Sequence, residues 1–464
     1  MTRPNMILIL ADDMGYWTLG SSGNQDARTP NLDRMAREGC RMENFFCASP
    51  VCSPARATLM TGKMPSTHGV LDWISGGNVE TAGEKGIEYL KEFPCYTDYL
   101  SSSGYICGLS GKWHLGSAEK PQKGFSHWYA HQSGGGPYFD PPMVRDGKTV
   151  REKGYVTELI TEDALGFIEE AHKSGSPFYL SVHYTAPHTP WIGNHPAKYL
   201  DLYKDCRFES CPVEERHPWQ IDFQDFNDPR EEMLRGYFAA ASAMDEGVGR
   251  IRSLLARLGI ERETLVIFSS DNGFNCGHHG VWGKGNGTYP ANMYDSSVKV
   301  PMIACWPGTI PEGRRLTGLY SACDFFPTVM EIGEISFDAS AFPGKSFAGI
   351  WKGQCADRTE GDIAVFDEYG GVRMLRQKRW KYVCRYPAGP NELYDLEADP
   401  QERENLIDKA PEQLIKLLHN RLEEWFYYQT RPETDGRTAG VTGAGQRKMH
   451  TPYGFEPGSF EEKY

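Results

Sequence analysis

Two apolar runs end in acidic pairs. Ile7-Leu8-Ile9-Leu10-Ala11 leads into Asp12-Asp13, and Leu265-Val266-Ile267-Phe268 leads through two serines into Asp271-Asn272. Three carboxylates at neighbouring strand ends would repel one another severely unless a cation lay among them. An aspartate after a strand also serves as a turn residue or helix cap, which accounts for one such pair better than for two. The donors are all hard oxygens, with Asn272 adding a carbonyl, so the chemistry points to Ca2+ or Mg2+ rather than zinc. A second reactive segment is Cys52-Ser53-Pro54-Ala55-Arg56. Ser53 reads as an N-cap with Pro54 at the first helical position, which sets Cys52 at a helix mouth that favours an anion. Arg56, one turn in, can point back to the same spot. Taken locally, Cys52 is either a reactive thiol beside an anion site or a buried thiol in front of a helix. The spacing excludes a cysteine-phosphatase loop, because the arginine that loop needs is missing.

Further cations sit in three segments. In Ser110-Gly111-Lys112-Trp113-His114-Leu115-Gly116 an extended backbone would turn Lys112 and His114 to one side, since residues two apart share a face. His188 lies between prolines in Ala186-Pro187-His188-Thr189-Pro190, a rigid strand exit suited to a positioned acid, whereas His183 reads as a strand residue. After Asn272, the loop His278-His279-Gly280-Val281-Trp282-Gly283-Lys284 is able to fold back over a metal, and Lys284 is its one cation other than histidine.

The elements that must carry these residues alternate along the chain. Strands are predicted at Asn5–Leu10, Ile106–Leu109, Phe178–His183, Thr264–Ser270 and Val300–Trp306. Helical periodicity marks Asn31–Glu38, Tyr96–Ser103, Thr157–His172, Arg230–Leu258 and Phe325–Ile332. Such alternation with near-continuous apolar strands predicts an α/β fold, a parallel sheet sandwiched by helices, with its site at the carboxyl edge. From about residue 345 the texture changes. Ile363–Phe366, Val372–Arg376 and Lys381–Cys384 read as closely spaced antiparallel strands, followed by an amphipathic helix over Glu412–Phe426. The expected division is a catalytic domain over 1–345, a smaller sheet-plus-helix subdomain over 346–430, and an irregular arm or tail over 431–464.

Composition narrows the class of protein. The 464 residues carry a net charge of −13, which argues against nucleic acid as a partner but leaves room for an anionic substrate in a locally basic pocket. No apolar run is long enough to span a bilayer, and the chain enters its first strand without a separate leader, so the expectation is a cytoplasmic protein with no membrane partner. Twelve cysteines fall short of a disulfide scaffold. The pairs Cys47/Cys52 and Cys206/Cys211 lack the histidines of a zinc finger, which leaves free thiols as the default.

Taken together, these segments resemble the type I sulfatase family of the alkaline-phosphatase-like superfamily. The carrying motifs are Cys52-Ser53-Pro54-Ala55-Arg56 with Thr61-Gly62, Gly111-Lys112-Trp113-His114-Leu115-Gly116, and Ser270-Asp271-Asn272-Gly273. Glu392-Leu393-Tyr394-Asp395-Leu396, continuing to Asp399-Pro400 and Glu404-Asn405-Leu406, adds a C-terminal one. The likeness runs from Asn5 to about Leu406.

The resemblance implies a sulfuric ester hydrolase in which a maturation enzyme oxidises Cys52 to formylglycine (3-oxoalanine). One oxygen of the hydrated aldehyde attacks sulfur and expels the alcohol; the second then collapses the sulfated intermediate, a route closed to a plain serine. It further implies that Asp12, Asp13, Asp271 and Asn272 hold Ca2+, with the oxygen derived from Cys52 completing the shell. Arg56 and His114 would orient and activate the diol, and Lys112 and Lys284 would bind sulfate oxygens. His188 would protonate the leaving alcohol, and His279 competes with Lys284 for the second sulfate contact.

Two rivals stand beside this reading. One is a phosphate or phosphonate monoester hydrolase of the same superfamily, against which the single-metal donor set argues. The other is an unmatured binder of sulfated ligands. The expected partners are a small sulfated substrate, the maturation enzyme, and a second copy of the chain held through the C-terminal arm. A sulfated sugar is the first choice of substrate, on family frequency, ahead of aryl or steroid sulfates. Trp73, Trp128, Trp191, Tyr138 and Phe139 are candidates to stack on it, with loop packing the plainer role for each.

Overall fold

The chain is described by a computed structural model over residues 3–75, 86–222, 228–437, 445–446, 450–451 and 454–455. The unbroken apolar run at its start becomes a strand covered on both faces, β1 (Asn5–Ala11), in which every residue is buried. In chain order there follow β2 (Cys40–Phe46), β3 (Ile106–Lys112), β4 (His127–His131), β5 (Pro142–Arg145) and β6 (Lys148–Arg151). β7 (Phe178–His183), β8 (Thr264–Ser270), the short β9 (Asn275–Cys276) and β10 (Trp282–Gly283), β11 (Lys299–Cys305) and β12 (Arg314–Ser321) complete this part. All but β9 and β10, which pair with each other, form one sheet in the order β12-β2-β11-β8-β1-β7-β3-β4-β5-β6.

Alternate residues of β1 divide the interior. Met6, Leu8 and Leu10 join a core that includes residues of the helices Cys52–Thr61, Tyr96–Ser102 and Phe325–Ile332. Ile7, Ile9 and Ala11 join another, with the helices Pro30–Arg37, Val156–Ser174 and Arg230–Leu258. The expected sandwich is therefore present, with helices on both faces of a mostly parallel sheet.

Two expectations are corrected. The predicted parallel strand at Val300–Trp306 is β11, which runs antiparallel to both of its neighbours, β8 and β2. Periodicity cannot give direction, and an apolar run reads alike in either orientation. Ser53 does not cap its helix. The helix begins at Cys52 behind Val51 without a side-chain cap, and Ser53 Oγ instead accepts the Ile74 amide at 3.1 Å. Pro54 still falls in the first turn, where a missing N–H costs nothing.

The C-terminal strands are β13 (Ile363–Asp367), β14 (Val372–Arg376), β15 (Trp380–Arg385) and β16 (Glu392–Asp395), joined in that order into an antiparallel sheet. One face, with Ile363, Val365, Val372, Met374 and Val383, enters the core shared with β1. The other face carries Phe366, Leu375, Tyr382 and Leu393 against Leu418, Leu422 and Phe426 of the helix Glu412–Gln429. Packing thus runs on across residue 345. Beyond the helix, Arg431 N donates to Ser66 O at 3.1 Å and Gln446 is wholly buried, so the described part of the arm lies over its own body. Residues 438–444, 447–449, 452–453 and 456–464 lie outside the described residues. The cysteines are all free, and no described helix is long and apolar enough to cross a membrane.

A buried ion cluster ties the small sheet to the large one. Lys381 Nζ, with no exposure, forms an ion pair with Asp295 Oδ1 at 2.6 Å and donates to Met293 O at 2.8 Å and to Glu402. Asp295 also has Arg376 Nε at 4.0 Å, whereas burial pushes Glu402 up from 4.5 to about 7 against the pull of Lys381. Removing the cation would strand Glu402 and leave Asp295 to the more distant Arg376, so Lys381→Met is expected to destabilise the fold by about 3–5 kcal/mol in urea unfolding. The pH dependence follows from Glu402. The native state holds that proton more tightly than the unfolded chain, so this group adds stability as pH falls from about 7 toward 4.5. Glu402→Gln should flatten that slope, measured as urea midpoints across the same window.

Candidate functional site

Register brings the predicted residues together. Ala11 lies beside Ser270, Leu10 beside His183, and Gly111 beside His183, so β8, β1, β7 and β3 end side by side at one carboxyl edge. The chain then turns sharply: Asp13 takes a φ of 64°, and its amide donates to Asp271 Oδ1 at 3.2 Å. Ligand oxygens of Asp12, Asp13 and Asp271 all lie within 4.8 Å of one another, and each residue is buried. Cys52 enters from the helix after β2, with Sγ 3.4 Å from Asp12 Oδ1.

Cations interleave with the acids. Lys112 Nζ sits 2.5 Å from Asp12 Oδ2 and is fully buried. Arg56 Nε donates to Asp271 Oδ2 at 2.9 Å, and its Nη2 lies 3.8 Å from Asp12 Oδ1. Lys284 Nζ reaches Asp13 Oδ1 at 2.6 Å and Cys52 Sγ at 2.7 Å. Burial opposes charge on Asp13, yet Lys284 and His188 hold it below its usual range; Arg56 and Lys112 do the same for Asp271. The Cys52 thiol goes the other way. Burial and then Asp12 push it up, with Lys112 and Lys284 opposing, so at the helix mouth it is a thiol rather than the thiolate a lone helix dipole would favour.

The histidines divide by position. β3 ends at Lys112 and His114 adopts a left-handed φ of 55°, so the segment is not extended throughout. Trp113 nevertheless packs into the core against Trp128, while His114 stays within electrostatic reach of Asp12, Lys112 and Arg56. Burial, then Lys112 and Arg56, hold His114 well below its ordinary value, so it is neutral. His188 Nδ1 donates to Thr189 O at 2.7 Å, which leaves Nε2 facing Asp13 Oδ2 at 3.6 Å on the more open side of the cluster. His279 does not enter. Its ring stacks on Tyr294 at 3.8 Å, and the cation beside Cys52 is Lys284.

The donor set fits a hard divalent cation. Asn272 Nδ2 donates to Asp13 Oδ1 at 2.7 Å, while its Oδ1 is buried without a hydrogen-bond partner among the described residues. An orphaned amide oxygen beside three carboxylates is an unmet need that a metal would answer.

Several residues at the site escape a reading of the sequence. His183, expected only as a strand residue, joins the predicted Arg56 at the site: His183 Nδ1 and Arg56 Nη1 both donate to Lys112 O, at 3.1 and 3.2 Å, and so fix the strand end that aims Lys112. The run Ser133-Gly134-Gly135-Gly136 passes over the histidines. A Cβ built on Gly134 would stand 2.3 Å from the His114 ring, and one on Gly135 would stand 3.1 Å from His188. Three successive glycines were the available signal for so close an approach. Of the aromatic candidates, Trp128, Trp191 and Tyr138 serve packing: Tyr138 Oη donates to His188 O at 2.7 Å, and Trp191 Nε1 donates to Pro187 O at 2.8 Å. Phe139 is 42% exposed and Trp73 partly so.

Comparison with known proteins agrees with this geometry. The sulfatase family model matches residues 4–335, and a model of the C-terminal region of N-sulphoglucosamine sulphohydrolase matches residues 277–427. An N-acetylglucosamine-6-O-sulfatase of Bacteroides thetaiotaomicron is 27% identical over 91% of this chain and 87% of its own. An ulvan-active sulfatase of Formosa agariphila is 30% identical over 91% of this chain and 80% of its own. A solved structure of a protein in complex with its substrate D-glucosamine-2-N,6-O-disulfate shares the fold, with a TM-score of 0.78 at 24% identity over 94% of this chain and 99% of that one. With a family model covering more than half of its length and its acidic pairs, cysteine and lysines gathered at one sheet edge, the chain belongs to the sulfatase family.

Proposed function

We propose that this sulfatase hydrolyses the sulfate ester of a sugar, with Cys52 matured to formylglycine and Ca2+ held by Asp12, Asp13, Asp271 and Asn272. The observation that carries the reading is the setting of Cys52, at a buried helix start with Asp12 at 3.4 Å on one side and Lys284 at 2.7 Å on the other. Relatives named as an N-acetylglucosamine-6-O-sulfatase and an N-acetylgalactosamine-6-sulfatase supply the substrate class. When bound, the metal and the hydrated aldehyde supply an activated oxygen nucleophile and neutralise charge on the sulfate.

The chain's own residues do the rest. Lys112 and Lys284 would bind sulfate oxygens, and their ammonium groups would spread the charge that builds during transfer. Arg56, gripping Asp271 and the Lys112 carbonyl, keeps acids and cations in register. His114 is neutral and buried, with Nδ1 unpartnered among the described residues, and would take a proton from the nucleophile there. His188 has Nδ1 tied to Thr189 O, and in its doubly protonated form Nε2 would donate to the departing alcohol oxygen.

Two outcomes are expected. Mature protein should release sulfate from at least one sulfated monosaccharide in a panel that also holds an aryl sulfate and an aryl phosphate, and Cys52→Ala should abolish it. A preference for phosphate by orders of magnitude, or an unconverted Cys52 thiol by intact mass in active native protein, would sink the proposal. His188→Ala should slow a sugar sulfate about 100-fold or more, yet leave an activated aryl sulfate, whose phenolate leaves unaided, nearly untouched. Equal losses on both substrates would remove His188 from the acid role.

A further inference from the structure

The segment Gly69–Ser75, after the cysteine-bearing helix, is buried except at the half-buried Trp73 and Ser75, with Val70 and Leu71 at 0% exposure, Asp72 at 1% and Ile74 at 2%. A buried irregular segment must find partners for its backbone polar groups. Four are met by one residue from the far end of the chain. Gln446 Oε1 accepts from Leu71 N at 2.8 Å and its Nε2 donates to Gly69 O at 3.0 Å. Its backbone amide donates to Trp73 O at 2.7 Å, and its carbonyl accepts from Ser75 N at 2.9 Å, forming a parallel bridge beside Ile74.

Ile74 connects this segment to the site in two ways. Its amide donates to Ser53 Oγ at 3.1 Å, one residue from Cys52. Its carbonyl lies 3.3 Å from His114 Nε2, and because a carbonyl only accepts, that nitrogen must carry the ring proton. Nδ1 is then a bare lone pair, buried and without a partner among the described residues. Gly134 closes on the same ring, so His114 cannot swing away without moving that backbone.

We propose that Gln446 is a positioning residue for catalysis: it holds Gly69–Ser75 so that the Ile74 carbonyl fixes His114 in its Nε2–H form, leaving Nδ1 to receive the nucleophile's proton. The inference rests on the sulfatase reading for the use of that lone pair, while the tautomer itself does not depend on turnover. The arm is thereby a working part of the site, though 375 positions separate Gln446 from Leu71.

The test uses Gln446→Met, which keeps the side chain's length and loses its hydrogen bonds, in the mature full-length protein with and without His114→Ala. In the otherwise native background kcat for sulfate release should fall about 10-fold with KM unchanged. In the His114→Ala background the residual rate should not fall further, because residues acting through one another are non-additive. An equal loss in both backgrounds, or none in either, overturns the proposal. Nitrogen-15 histidine spectra supply a readout that needs no activity, with the His114 signals identified by their absence in His114→Ala. The Nε2–H pattern is expected in the native chain and a tautomer mixture in Gln446→Met; an unchanged His114 pattern overturns the proposal. Should the native chain release no sulfate from any ester, the functional reading fails and the spectra still decide this one. If Gln446→Met does not fold, Gln446→Glu, which keeps the acceptor for Leu71 N and loses the donor to Gly69 O, is read the same way.

Discussion

Three buried carboxylates crowd a single sheet edge, and much of the surrounding structure keeps that arrangement tolerable. The register between β1 and β8 makes the crowding unavoidable, since Ala11 opposite Ser270 delivers Asp12 and Asp271 to the same spot. In a low-dielectric interior such repulsion is severe, and it is balanced by cations that are themselves held from behind. Lys112 is aimed by a strand end whose carbonyl is gripped by Arg56 and His183. Lys284 is fixed through its own carbonyl, which accepts from Asn292 Nδ2 at 3.0 Å. Neither set of charges would be stable without the other, which is why the site is a property of the fold rather than of one loop.

Much of this was legible in the sequence, and the parts that were not share a cause. Continuous apolar strands and the acids at their ends revealed the sheet, its carboxyl edge and the cluster of carboxylates there, because burial and electrostatics act on residue type directly. Of the large sheet, β2, β4, β5, β6 and β12 went unread. Arg41, Glu43 and Asn44 interrupt the apolar run of β2, and its alternation breaks at Glu43 and Asn44, which are both half-buried. The direction of β11 was hidden because hydrophobic pattern carries no polarity. Ser53 was misjudged as a cap because a hydroxyl before a proline fits that rule locally, while its actual partner, Ile74, arrives from a later loop. Gln446 was invisible for the same reason: a polar residue in an irregular tail gains meaning only from the segment it meets.

The smaller sheet is bound to the larger by apolar packing and by charge together. Its inner face belongs to the core around β1, and Lys381 spans the junction to Asp295, which lies shortly before β11. That link gives the C-terminal motif beginning at Glu392 a physical role, because β16 is the strand that pairs with Lys381's own strand, β15. The motif steadies the element carrying a buried cation, and through it the loop that brings Lys284 to the cleft.

The Ser133–Gly136 run has a consequence for how such a molecule is mapped by experiment. Its contribution to the wall beside His114 and His188 is bare main chain, so there is no side chain to delete. A conventional alanine scan looks for function by subtraction, yet at Gly134 it would insert a methyl group 2.3 Å from an imidazole. The damage recorded there would measure the value of empty space, and a survey that skips glycines would leave this part of the site off its map.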